Sequence, residues 1–142
     1  MPSVLVIDDD PCIRAVITST FRRMGYEVRS AENGLMGTVL FEITPADLVI
    51  TDIFMPEMDG IETIAALRRH APVPAIIAIS GGGAMCGTET LSAAKLLGAD
   101  AVMSKPLSMS ALLHVAGELL GAQAEGPARR AARGVNTRRH AA

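Results

Sequence analysis

Short strand-like runs alternate with segments of helical period from one end of this chain to the other, and that alternation leaves few folds open. Val4-Leu5-Val6-Ile7 is short, continuous and apolar, as expected for a strand buried on both faces, and Leu48-Val49-Ile50-Thr51, Ala75 to Ile79 and Ala101-Val102-Met103 read as further strands. Glu27 to Ser30 is more polar and reads as an edge strand. Between these runs the period changes to that of a helix. Asp10-Pro11 supplies an N-cap and a first helical position, Ile13, Val16, Ile17, Phe21 and Met24 recur at helical spacing, and Gly25 supplies the stop. A second helix is predicted over 34–44 with Leu35, Val39, Leu40 and Ile43 inward. Ile61, Ile64, Ala65 and Leu67 mark a third that ends near His70. A fourth is predicted over 88–97, stopped by Gly98, and a last one from Leu107 to Leu120, closed by Gly121. Five strands alternating with five helices predict an α/β domain: a parallel sheet covered on both faces and joined by right-handed crossovers.

Composition agrees with one such domain. The 142 residues are 49% hydrophobic but only 3% aromatic, with no Trp, so the core must be built from aliphatic side chains. No apolar run approaches the roughly 20 residues of a membrane span, so no membrane partner is expected. Met1-Pro2-Ser3 lacks the basic segment of a secretory signal, and Cys12 and Cys86 are too few for a disulfide scaffold. A cytoplasmic chain with free thiols is the expectation. The net charge of −2 conceals a division. Residues 1–120 carry 8 Lys+Arg against 14 Asp+Glu, whereas residues 121–142 carry 5 Arg against 1 Glu. We therefore divide the chain into a domain over 1–121 and a basic tail over 122–142. The tail has neither aromatics nor a fold to read bases, which argues for a solvated extension over a nucleic-acid arm.

In open α/β sheets ligands bind beyond the carboxyl ends of the strands, so the residues that follow each strand indicate the chemistry. Asp8, Asp9 and Asp10 follow the first, Asp52 the third, Ser80 ends the fourth, and Lys105-Pro106 follows the fifth. Carboxylates gathered at one edge repel one another, and a hard cation such as Mg²⁺ resolves the repulsion. One carboxylate is then placed to attack a phosphoryl donor, with Lys105 and Ser80 available to the phosphoryl oxygens. Asp10 is assigned to capping. The glycines 81–83 lack the Gly-Lys-Ser/Thr that would make a P-loop, and the turn after the first strand lacks the glycines of a dinucleotide fold.

Val6-Ile7-Asp8-Asp9-Asp10, the run Asp52-Ile53-Phe54-Met55-Pro56-Glu57-Met58-Asp59-Gly60, then Ser80 and Lys105-Pro106 resemble, in order and spacing, the receiver domain of two-component response regulators, of the stand-alone chemotaxis type. The resemblance covers roughly residues 3–120. It implies a flavodoxin-like doubly wound sheet of strand order 2-1-3-4-5. It implies Asp52 as phosphoacceptor, Asp9 and Asp8 as Mg²⁺ ligands (Asp8 through water), and the Phe54 carbonyl as backbone ligand. Ser80 and Lys105 are implied as phosphoryl-binding residues, and the Lys105-Pro106 bond as cis. The implied partners are a sensor histidine kinase or a histidine phosphotransfer protein and an unnamed downstream protein, reached through the last two helices and the fifth strand. The implied chemistry stops at self-phosphorylation and autodephosphorylation, by a monomer or weak dimer.

Val102 stands where many members carry Tyr or Phe, so the glycine-rich loop after Ser80 is expected to take over the conformational readout. Two other readings stay open at this stage. Asp8-x-Asp10 also fits a haloacid-dehalogenase-like phosphatase, although Cys12 and the missing late acidic pair count against it. A pseudo-receiver that binds partners without phosphorylation is the other. His70 and His114 are read as helical residues without partners.

Overall fold

The computed structural model describes residues 2–53, 60–80, 95 and 98–124. Five parallel strands form one sheet: β1 (Ser3–Ile7), β2 (Glu27–Ala31), β3 (Leu48–Asp52), β4 (Ala75–Ser80) and β5 (Ala101–Ser104), in the order β2-β1-β3-β4-β5. Four helices are described: α1 (Pro11–Arg23), α2 (Gly34–Ile43), α3 (Gly60–Leu67) and α4 (Met109–Ala124). The helix expected over 88–97 lies outside the described residues except at Lys95, which is helical. The glycines 81–83, Cys86 and the tail beyond residue 124 lie outside them too. Among the described residues no helix is long and apolar enough to cross a membrane.

The sheet is buried on both faces because alternate residues of each strand enter different cores. Val4 and Val6 of β1, Leu48 and Ile50 of β3, and Ile77 and Ile79 of β4 pack with Ile17 and Phe21 of α1 and Leu112 and Ala116 of α4. Leu5, Ile7, Val49, Ile76 and Ala78 point the other way, onto Phe41 of α2 and Ile64 and Leu67 of α3. Thus α1 and α4 cover one face and α2 and α3 the other. Glu27–Ala31 is an edge strand, as its polarity implied.

The termini of α1 form as its sequence predicts. Asp10 caps it, its carboxylate accepting from the Cys12 and Ile13 amides, with proline next. Gly25 takes the positive φ of 92° that its role as the stop of α1 requires, and Gly98 has a φ of 117°. Ile17 and Phe21 of α1 are buried, but Val16 and Met24, the residue that caps its C-terminus, face solvent.

Four expectations need correction. The inward face of α2 is not Leu35-Val39-Leu40-Ile43: Leu35, Val39 and Ile43 are 51%, 42% and 73% exposed, and only Leu40 is half-buried. The helix turns Gly34, Gly37 and Phe41 inward instead. The cause is close approach at Gly37, where a Cβ would come within 2.7 Å of Ile7 Cγ1 and closer still to Cδ1. A bare backbone lets α2 lean on β1, and that contact outweighs the burial of three larger side chains.

The last helix starts at Met109 and does not stop at Gly121 but runs on to Ala124, so 121 is not a helix boundary. A glycine inside a helix costs only about 1 kcal/mol relative to Ala, and alone it does not end one. His70 lies past the end of α3 and packs edge-on against Phe41 at 4.8 Å. His114 Nε2 lies 3.0 Å from the Glu118 carboxylate one turn on.

Candidate phosphoacceptor site

Parallel register delivers the polar groups to one edge. Ile7 sits beside Thr51, Asp52 beside Ile79, and Ser80 beside Ser104. Asp8, Asp52, Ser80 and Lys105 therefore emerge from four adjacent strands at the same end. The backbone locks that edge: Asp8 N donates to Ala31 O, Ile53 N to Ile79 O at 2.9 Å, and Lys105 N to Ser80 O at 2.8 Å. Gly60, which opens α3, presses on the Asp52 peptide. A Cβ there would lie 2.5 Å from Ile53 Cα and closer to the Asp52 carbonyl oxygen, so only glycine allows this return of the chain.

The side chains converge. Carboxylate oxygens of Asp8, Asp9 and Asp52 all lie within 4.8 Å of one another. Asp8 is 1% exposed and Asp52 4%, while Asp9 reaches solvent. Lys105 Nζ lies 3.2 Å from Asp52 Oδ2 and 3.5 Å from Asp8 Oδ2, so one ammonium bridges two buried carboxylates. Ser80 is 2% exposed at the end of β4. The Lys105-Pro106 peptide is cis, as the resemblance implied, and so is Ala71-Pro72, which the sequence reading did not anticipate.

The electrostatics are those of a site short of positive charge. Burial pushes the Asp8 carboxyl above its usual 3.8, and the neighbouring charges of Asp52 and Asp9 add to the rise. The Asp10 amide, donating to Asp8 Oδ1 at 2.9 Å, and the Lys105 charge oppose it without cancelling it. Burial alone would lower Lys105, but the charges of Asp52 and Asp8 outweigh that and raise it above 10.5. Asp8 Oδ2 is buried and makes no hydrogen bond; at 3.5 Å, the approach of Lys105 is an ion pair only. Three carboxylates, one of them with an unmatched buried oxygen, form a donor set that fits a hard divalent cation such as Mg²⁺.

Asp8, Asp9, Asp52 and Lys105 are thus brought into direct association, with Ser80 on the adjoining strand end. Phe54 lies outside the described residues. One participant escaped the sequence reading: Arg14 Nη1 donates to the Asp8 carbonyl at 2.7 Å. A basic residue one turn into the helix that follows the aspartates was the available signal.

Comparison with known proteins agrees. The family model of the response regulator receiver domain matches residues 4–116. A probable transcriptional regulator of Porphyra purpurea, ycf27, is 34% identical over 105 residues, which is 74% of this chain and 42% of that protein. The uncharacterized transcriptional regulatory protein YrkP of Bacillus subtilis is 36% identical over 105 residues, or 43% of its length. This chain therefore spans less than half of those relatives. Among solved structures, a CheY-like receiver domain protein of Methanospirillum hungatei superposes with a TM-score of 0.82 at 27% identity, covering 88% of this chain and 98% of that one. The chemotaxis protein CheY4 of Vibrio cholerae gives 0.76 at 27% identity, covering 84% and 98%. With the sheet order, the strand-end carboxylates and the matched span in agreement, the chain belongs to the response regulator receiver domain family of two-component systems.

Proposed function

We propose that Asp52 is the phosphoacceptor of a Mg²⁺-dependent switch, loaded by a histidine kinase or histidine phosphotransfer protein and read out by protein–protein contact. The observation that carries this reading is Lys105 bridging Asp52 and Asp8 inside a cluster of three carboxylates. A structural ion pair has no need of a third carboxylate.

Asp52 attacks phosphorus with a carboxylate oxygen. The phosphorus–nitrogen bond of the donor phosphohistidine breaks, and its electron pair leaves with the imidazole, which takes up a proton. The product is an acyl phosphate on Asp52. Asp8, Asp9 and Asp52, with the Phe54 carbonyl, are the residues assigned to hold Mg²⁺, which supplies neutralising charge to the phosphoryl oxygens. Lys105 swings its ammonium from the carboxylate pair to the new phosphoryl oxygens, a shift within one side chain's reach. Ser80, at the end of β4, donates its hydroxyl to another. Both moves couple the phosphoryl group to the ends of β4 and β5, from which the two-state change starts. Family membership leaves the dehalogenase-like reading without a basis. A phosphorylation-independent binding module remains as the outcome that would refute the proposal.

The test is intact mass after incubation with acetyl phosphate or phosphoramidate. One phosphoryl adduct is expected on the wild type with Mg²⁺ and none after EDTA, nor on Asp52→Asn. A wild type that gains no adduct under any donor would sink the proposal.

A further inference from the structure

Helix α1 carries three arginines and no acidic residue, in a domain where residues 1–120 hold 8 Lys+Arg against 14 Asp+Glu. Those arginines are grouped by the helical repeat. Arg14, Thr18 and Arg22 fall at intervals of four on one stripe, with Ser19 and Arg23 beside them. Together with Ser30 of the edge strand β2 they line an open groove of about 650 Å³. Eight residues of helix rise about 12 Å, so Arg14 stands toward one end of the groove and Arg22 and Arg23 toward the other. This is large enough for a small ligand.

Two of the arginines are held by the backbone. Arg14 donates to the Asp8 carbonyl at 2.7 Å and Arg22 to the Val28 carbonyl at 3.1 Å. Each guanidinium is thereby oriented with most of its five donors unspent on these bonds. The helix macrodipole accounts for arginines at the C-terminal end of α1. It does not account for Arg14 at the opposite end.

Oriented guanidinium forks together with hydroxyls are the donor set of phosphoryl recognition. Among the described residues, no carboxylate lines the groove to repel an anion, and no aromatic ring lines it to stack a base. We propose that the groove binds an oligophosphate through its phosphate oxygens, either inorganic or as the triphosphate of a nucleotide. Arg14 holds one end, and Arg22 and Arg23 the other. The groove meets the carboxylate pocket at Arg14, and the proposal stands whether or not Asp52 is phosphorylated.

The experiment is an amide chemical-shift titration of the full chain in EDTA, so that no cation recruits phosphate to the carboxylates. Inorganic tripolyphosphate and a nucleoside triphosphate are the two probes. Saturable shifts are expected across residues 14–23 and at Ser30. Affinity should fall at least about tenfold in Arg22→Gln/Arg23→Gln, since charged hydrogen bonds are lost. Equal affinity for both probes assigns the inorganic chain as sufficient; a tenfold preference for the nucleotide assigns the nucleotide. Shifts confined to the arginine-rich residues 125–142, or no saturation by about 10 mM, would overturn the proposal. So would a glutamate-rich peptide that saturates the groove when neither phosphate probe does.

Discussion

The body of the sheet and its carboxyl edge are equally buried and chemically opposite. Ile50 is 1% exposed and Asp52, two residues along the same strand, is 4% exposed. In the body, each strand residue exchanges water for aliphatic neighbours, which is the dominant favourable term in folding. At the edge the same exclusion of water falls on Asp8, Asp52 and Ser80, where it works against the charged groups unless they find partners. Within a length of two residues the chain passes from positions chosen for stability to positions that stability alone would reject. Sites of function are where such local inconsistency is expected.

The sharpest way to break this comparison is to truncate both residues of β3. Ile50→Ala should cost about 2–5 kcal/mol, because it removes buried methylenes and leaves a cavity. Asp52→Asn should unfold at the same or higher urea concentration in metal-free buffer, since it relieves repulsion among three carboxylates. If Asp52→Asn were as damaging as Ile50→Ala, the edge would be a structural feature and the contrast would fail.

How much of this was legible in the sequence follows the same division. The buried strands were readable because residues buried on two faces leave no choice but continuous apolar runs, as in Val4 to Ile7. The edge was readable because charged residues directly after such runs have no structural reason to be there. The orientation of α2 was not readable. Its sequence is apolar nearly all round, so periodicity cannot choose a face, and the choice falls to Gly37, which contributes an absence of atoms. The run-on of the last helix past Gly121 was hidden for a related reason: a glycine marks a stop only if the chain turns there. Arg14 was easy to miss as a site residue because its contact is to a backbone carbonyl, and only its place one turn into the helix after the aspartates hinted at it.

Lys105→Met probes the edge from the cationic side. Removing one partner of a buried pair ordinarily costs about 3–5 kcal/mol. Lys105 retains some solvent access, its side chain being 20% exposed, so a loss of about 1–3 kcal/mol is expected in metal-free buffer. Mg²⁺ should restore most of it by supplying the missing positive charge, as read in urea titrations with and without the ion. A loss that Mg²⁺ leaves untouched would mean that Lys105 matters through packing.

The body makes its own, smaller prediction at α2. Gly37→Ala should destabilise by about 1–2 kcal/mol, because the new methyl meets the flexible end of Ile7, which can give way only in part. Ile43→Ala, on the exposed face of the same helix, should stay within about 0.5 kcal/mol. Reversal of these two would restore the inward face that hydrophobic periodicity suggested.

The smallest effect is the dependence on pH, and its sign is fixed by Asp8. Its folded-state pKa is raised above 3.8, first by burial and then by its acidic neighbours, so the folded chain holds that proton more tightly than the unfolded one. Stability contributed by this group therefore falls as pH climbs from 3.8 to the raised folded value, and the full penalty is present above it. In metal-free buffer the difference in unfolding free energy between Asp8→Asn and wild type should grow with pH across that window and then level off. With saturating Mg²⁺ the trend should invert for the wild type, because a hard cation binds only the ionised carboxylate. The penalty that Asp8 imposes on the bare fold then becomes the driving force for taking up the ion. A difference that stays flat with pH in both buffers would show that Asp8 is neutralised within the protein, which would place the edge on the same footing as the body.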